Sequence, residues 1–88
     1  MISKVYTILA AEGIHARPAT ALVRLARQFS SSVYLKKNEA MVKLDSMLNI
    51  LSLATKAGDV ITMQIEGEDE VSAAAVLDQF FTEQLKHL

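Results

Sequence analysis

The chain has 88 residues, a hydrophobic fraction of 51%, no cysteine and a formal net charge of −1. This length bounds one small folding unit, near the lower end of what is stable alone, and the apolar content argues for a packed core over disorder. The absence of cysteine excludes disulfides and thiolate metal sites and is compatible with a reducing compartment. The charge gives no global pull toward nucleic acid or anionic membrane, and no apolar run approaches the roughly 20 residues that span a bilayer. Residues Met1 to Lys4 carry neither the charged segment nor the apolar run of a signal peptide.

No internal repeat, low-complexity segment or linker interrupts the chain. Ile2 to Ile8 is β-rich, with Ile2, Tyr6 and Ile8 on one face at period two. Glu12-Gly13 breaks this strand. From about Ala16 to Gln28 the spacing predicts a helix whose apolar stripe is Ala19, Leu22, Val23 and Ala26, closed by Phe29 and the serines Ser30 to Ser32. Val33 and Leu35, then Val42 and Leu44, alternate with polar neighbours on either side of Lys37-Asn38-Glu39, which predicts an antiparallel hairpin.

Asp45-Ser46 opens a short helical segment, Met47 to Ala54, for which serine is a favoured N-cap. After Gly58-Asp59 comes a strand with Ile61, Met63 and Ile65 on one face, ended by Gly67. Asp69 is then the expected N-cap of a last helix, with Glu70 favoured by the helix dipole and Ala74, Leu77, Phe81 and Leu85 forming the buried stripe. The order is β-α-β-β-α-β-α. Four strands in so short a chain cannot cover both sheet faces. The expected fold is therefore α+β, an open-faced sandwich of one four-stranded antiparallel sheet with three helices on one face.

The chemistry concentrates in Gly13-Ile14-His15-Ala16-Arg17-Pro18-Ala19, which holds the only proline and one of the three glycines. Imidazole titrates near neutral pH and offers a nucleophilic lone pair. At a helix mouth, unpaired backbone N–H groups and the dipole favour an anion. Arg17 adds a bidentate cation, Pro18 suits a first turn, and Gly13 permits the sharp turn into the helix. A lone histidine before a helix would ordinarily be read as a cap or a packing residue. The neighbouring Arg17, Pro18 and Gly13 move the balance toward a phosphoryl site.

These seven residues closely resemble the phosphorylation motif of the HPr family, the histidine-containing phosphocarriers of the bacterial sugar phosphotransferase system. The resemblance covers essentially the whole chain, as a single HPr-like domain over 1–88, and recurs from Val42 to Leu53 around Ser46 and at Glu66-Gly67-Glu68-Asp69-Glu70. It implies that His15 accepts a phosphoryl group from phospho-enzyme I on Nδ1 and passes it to the A components of sugar permeases, with Arg17 steadying the group. It implies a carrier in the cytoplasm rather than an enzyme, with no cofactor, no metal and a monomeric state.

In this family the serine matching Ser46 is, in many Gram-positive bacteria, phosphorylated by an ATP-dependent kinase. That event slows transfer at the histidine and creates a form bound by a catabolite-control transcription regulator. HPr kinase/phosphorylase and that regulator are therefore candidate partners through Ser46. The chain departs from the family here, with Asp45 where lysine is usual, and with Asn49 and Ala54 where glycine is common. Asp45 would repel a neighbouring phosphate.

Two further features suggest a docking surface. At about 100° per residue, Arg17, Thr20, Arg24 and Arg27 fall within an arc of roughly 80° opposite the apolar stripe of the first helix. This is either an ordinary solvated face or, since it begins at the phosphoryl site, a face for an acidic partner. In the second helix the apolar residues cover roughly 220°, well beyond the usual buried stripe. Ile50, Leu53 and Ala54 point one way, while Met47, Leu48 and Leu51 point another and form an expected exposed patch for partners.

The sequence bears on three other functions. A regulatory paralogue acting mainly through Ser46 would fit the departures at Asp45 and Ala54, although His15 is retained. A nucleic-acid-binding sheet would need displayed basic and aromatic residues, yet Tyr6, Phe29, Tyr34, Phe80 and Phe81 mostly follow the core pattern. A metal site has only His87 to add to His15, and His87 reads as a solvated tail residue.

Overall fold

The strands form where apolar and polar residues alternate. In the computed structural model, which describes residues 1–85, β1 spans Ile2–Thr7, β2 Ser32–Lys37, β3 Ala40–Lys43 and β4 Val60–Glu66. The helices are α1, Ala16–Ala26, α2, Met47–Leu51, and α3, Glu70–Gln79, which runs on into a π-helical stretch over Phe80–Gln84. His87 lies outside the described residues. All strand pairs are antiparallel and the sheet order is β1-β4-β2-β3.

The register separates the two faces of the sheet. Lys4, Met63, Leu35 and Val42 share one row, Ile2, Ile65 and Val33 the next, and Tyr6 pairs with Ile61. This face carries the helices: Ile61, Met63, Ile65, Val33 and Leu35 are buried against Leu22 of α1, Ile50 of α2 and Leu77 of α3. The opposite face presents Ser3, Gln64, Tyr34 and Lys43 in one row and Val5, Thr62, Lys36 and Met41 in another. It is left open to solvent, with Val5 and Met41 exposed. The expected open-faced sandwich is the fold found.

The stripe of α1 behaves as its spacing dictates. Ala19, Leu22, Val23 and Ala26 are all buried, and each large apolar side chain so buried contributes about 1.5–3 kcal/mol. The helix ends at Ala26, two residues short of expectation. Gln28 and Phe29 donate their N–H groups to the carbonyls of Leu25 and Ala26 in tight closing turns.

Helix α2 is shorter than the predicted Met47 to Ala54. Beyond Leu51 the chain tightens: Leu53 and Ala54 donate to the carbonyls of Ile50 and Leu51, at 3.1 and 3.0 Å. Ala54 then takes a left-handed conformation, φ 49°. That turn carries Ala54 out to solvent, so it does not join the inward set, whereas Ile50 and Leu53 are buried.

Two expectations about α3 are corrected. Asp69 occupies the N-cap position, but its side chain makes no cap bond. Its carboxylate instead accepts the N–H groups of Ser30 and Ser31 and the hydroxyl of Ser31, because the serine run after α1 leaves those donors without helical partners. Glu70 Oε1 accepts the N–H of Gly67, just before the helix, at 3.2 Å. The buried stripe also differs: Ala73, Ala74, Leu77 and Phe80 face the core and Phe81 is only half-buried. Ala73, Leu77 and Phe80 keep α-helical spacing, and across the π-helical stretch Leu85, five residues after Phe80, is buried as well.

Phe81 stacks on Tyr6 at 4.7 Å between ring centroids. The Tyr6 hydroxyl donates to Asp78 Oδ1 at 2.6 Å, tying β1 to α3. Burial, and then that bond, push the Tyr6 phenol above its ordinary range.

Candidate functional site

The loop between β1 and α1 sets the geometry of the site. Gly13 has φ +66°, a conformation that a side chain disfavours, and a Cβ built on it would fall 2.1 Å from the Thr55 carbonyl oxygen. Only glycine lets the two segments approach so closely. The next residue completes the anchor, since Ile14 N–H donates to Thr55 Oγ1 at 2.8 Å and the Ile14 side chain is buried. The backbone that carries His15 is therefore held against the segment that follows α2.

His15 is the N-cap residue of α1, with extended backbone (φ −85°, ψ −169°) and no capping bond from its side chain. Its carbonyl accepts Ala19 N–H at 3.0 Å, the first turn of the helix. The N–H groups of Ala16 and Arg17 lie in that turn, where no carbonyl within the helix can reach them. Pro18, next in line, has no N–H to leave unpaired and is buried. The imidazole is partly open, with 32% of its side chain exposed, and its Nε2 lies 3.3 Å from Glu12 Oε2. A carboxylate there favours a proton on Nε2, which leaves the Nδ1 lone pair uncommitted.

Arg17, Thr20, Arg24 and Arg27 are all exposed along one side of α1. Thr20 Oγ1 donates to the Ala16 carbonyl and reaches Met47 Sδ at 3.2 Å, so the arginine-bearing side of α1 and the apolar side of α2 are one continuous surface. Leu48 is 73% exposed and Met47 is 39% exposed. Leu51 differs from the exposed setting expected for it: it is half-buried and packs against the core, beside the fully buried Ile50. Arg27 sits at the far end of α1, where Nη2 donates to the Asp45 carbonyl at 3.3 Å.

Ser46 is the N-cap of α2, and its Oγ accepts Asn49 N–H at 3.4 Å. The two departures noted on either side of it meet each other. The Asn49 side-chain amide donates to Asp45 Oδ1 at 3.0 Å and to the Lys43 carbonyl at 3.1 Å.

Sequence reasoning missed the roles of Glu12 and Thr55, and noted Asn49 without its bond to Asp45. Glu12 could have been found from its place three residues before His15. For Thr55 there was no local signal, because its partner lies in another loop.

An antiparallel open-faced sandwich with a histidine at the mouth of its first helix defines a narrow class of small α+β proteins. A family model described as the PTS HPr component phosphorylation site matches residues 2–83. The chain is 39% identical over 83 residues to the phosphocarrier protein HPr of Lysinibacillus sphaericus, covering 94% of each. Among solved structures it resembles the histidine-containing phosphocarrier protein of Mycoplasma, with a TM-score of 0.91, 32% identity and 96% of each chain covered. It also resembles Crh, the catabolite repression protein of Bacillus subtilis, described as a swapped dimer, with a TM-score of 0.76, 32% identity and coverage of 97% of this chain and 98% of that one. The chain belongs to the HPr family, the phosphocarriers of the phosphotransferase system. No helix among the described residues is long and apolar enough to cross a membrane.

Proposed function

We propose that the chain acts as one HPr-like unit in the cytoplasm, taking a phosphoryl group from phospho-enzyme I onto His15 and delivering it to the A components of sugar permeases. The observation that carries this reading is the setting of His15: a partly open imidazole at the N-cap of α1, with Glu12 beside Nε2. In the step, the Nδ1 lone pair attacks phosphorus. The bond from phosphorus to its carrier atom on enzyme I breaks, and that atom keeps the electron pair. The new phosphoimidazole would meet the first-turn N–H groups of α1 and the guanidinium of the exposed Arg17. Transfer onward repeats the displacement with the permease component as acceptor. The chain is a carrier, and turnover belongs to its partners.

Partners would dock on the surface that runs from Arg17, Thr20, Arg24 and Arg27 to Met47, Leu48 and the edge of Leu51. Positive charge along α1 suits acidic partners, and the exposed leucine and methionine supply an apolar contact beside it. The test is incubation with enzyme I, magnesium and labelled phosphoenolpyruvate. Acid-labile label is expected in the native chain and absent from His15→Ala, and label persisting in the variant would overturn the assignment.

A second reading makes Ser46 a regulatory phosphorylation site for HPr kinase/phosphorylase, with a catabolite-control regulator as reader. It draws support from the likeness to Crh and from the half-buried Ser46 at a helix start beside the docking surface. The retained His15 favours the carrier role over a purely regulatory paralogue.

A further inference from the structure

Lys37 ends β2 far from His15 in sequence, yet its contacts lead to the same loop. Only 19% of its side chain is exposed, as is 19% of the Asp59 side chain facing it. An ammonium has three donors, and three acceptors surround this one. Lys37 Nζ lies 3.0 Å from Asp59 Oδ2, 3.1 Å from the Leu53 carbonyl and 3.0 Å from the Ala54 carbonyl. These carbonyls follow α2, where no helical N–H reaches them. The left-handed Ala54, an unfavourable conformation for a residue with a Cβ, is thus held by a cation on its own carbonyl.

The clamped segment is the wall on which the His15 loop rests. Thr55 directly follows Ala54, its Oγ1 accepts Ile14 N–H, and its carbonyl lies where Gly13 has no Cβ. At the other end, the Asp59 carbonyl accepts Ile8 N–H at 2.8 Å, and Gly58 N–H donates to the Ile8 carbonyl at 2.8 Å. The loop from Ile8 to Ile14 is therefore pinned at both ends to a segment that Lys37 pins in turn.

We propose that Lys37 is a positioning residue for the His15 site. By joining Asp59 to the Leu53 and Ala54 carbonyls it fixes Thr55, and through Thr55 the Ile14 backbone from which His15 extends. This rests on the reading of His15 as the phosphoryl acceptor. Lys37 is not a catalytic residue, since its contacts are with this wall and not with the imidazole. It matters because a small displacement of a reacting group can cost a large factor in rate.

The test compares native protein, Lys37→Met, Lys37→Arg and Thr55→Val as substrates of enzyme I, and follows hydrogen exchange of the Ile14 amide in each. Lys37→Met should lower kcat for transfer about tenfold and speed Ile14 exchange by a similar factor, with KM for the carrier within about twofold, because the docking surface is untouched. Lys37→Arg, which can reach the same acceptors, should recover most of the loss. Thr55→Val cuts only the last link and should reproduce the fall in kcat. A protein carrying both Lys37→Met and Thr55→Val should lose no more than either single variant, as expected for one shared path. Native kcat and native Ile14 exchange in Lys37→Met would overturn the proposal whatever happens to its Tm, and so would losses that multiply in the double variant. If Lys37→Met does not fold, native kcat in Thr55→Val overturns it. Label on a His15→Ala control would instead defeat the reading of His15, while Ile14 exchange would still decide whether Lys37 holds that backbone.

Discussion

Nε2 of His15 lies 3.3 Å from a carboxylate oxygen of Glu12, three residues earlier in the same loop. The contact biases which ring nitrogen carries the proton, and hence which one can attack. Glu12 itself is largely exposed, with 76% of its side chain accessible, so water screens the interaction and its effect is modest.

Replacing Glu12 with Gln should raise the fraction of the neutral imidazole protonated on Nδ1, as read from the ring nitrogen shifts of His15. It should slow transfer by no more than about threefold, the scale of an exposed ionic contact. An unchanged tautomer ratio would show that Glu12 does not set it.

The apolar end of the docking surface can be separated from the core beside it. Leu48 is 73% exposed, whereas Ile50, two residues on, is fully buried. Leu48→Asp should raise KM for enzyme I about tenfold, near 1.4 kcal/mol of binding, and change stability by no more than about 0.5 kcal/mol. Ile50→Ala should do the reverse, costing about 2–5 kcal/mol of stability. Chemical denaturation and transfer kinetics on both variants check this. A large stability loss in Leu48→Asp would make that side chain part of the core.

At Ser46 the Asp45 carboxylate is occupied by the Asn49 amide. Ser46 should therefore remain a substrate for an HPr kinase with ATP, and Asp45→Lys should be phosphorylated about fivefold faster, a charge effect near 1 kcal/mol. Phosphoserine measured by mass shift decides. No product from either protein would leave Ser46 as a cap of α2 alone.

Acid should loosen the join between α1 and α3. The hydroxyl of Ser31, followed by the Ser30 N–H and the other bonds to its carboxylate, holds Asp69 below the usual carboxylate range. A group whose folded value is depressed adds stability above its unfolded pKa, about 3.9. That stability fades as pH falls through the folded value. The Tm of the native chain should fall as pH drops below about 4. Asp69→Asn should start lower at neutral pH and show a flatter acid decline. A parallel decline in both proteins would show that Asp69 carries none of it.

Much of the fold was legible because periodicity is a local property. The alternation in Ile61, Met63 and Ile65 and the stripe Ala19, Leu22, Val23 and Ala26 name their buried faces directly. The wide apolar arc of α2 likewise pointed to exposed Met47 and Leu48. What stayed hidden depended on distant partners. Asp69 has the residue type of a cap, but the free donors of Ser30 and Ser31 claim its carboxylate. Phe80 rather than Phe81 is buried because the row that faces the core starts at Ala73 and keeps helical spacing through Leu77 to Phe80, a choice set by tertiary packing and not by the local pattern. The seven residues from Gly13 to Ala19 named the candidate site, but the wall behind it, Thr55 and Lys37, comes from segments that only the fold brings to that loop.

The most direct test of the account is to locate the phosphoryl group on the protein after reaction with phospho-enzyme I. Phosphorus and nitrogen NMR at alkaline pH should show one phosphoimidazole, bonded through Nδ1 of His15, with His15→Ala giving no phosphorus signal. A stable phosphoester signal instead, or a phosphoimidazole that survives in His15→Ala, would contradict it.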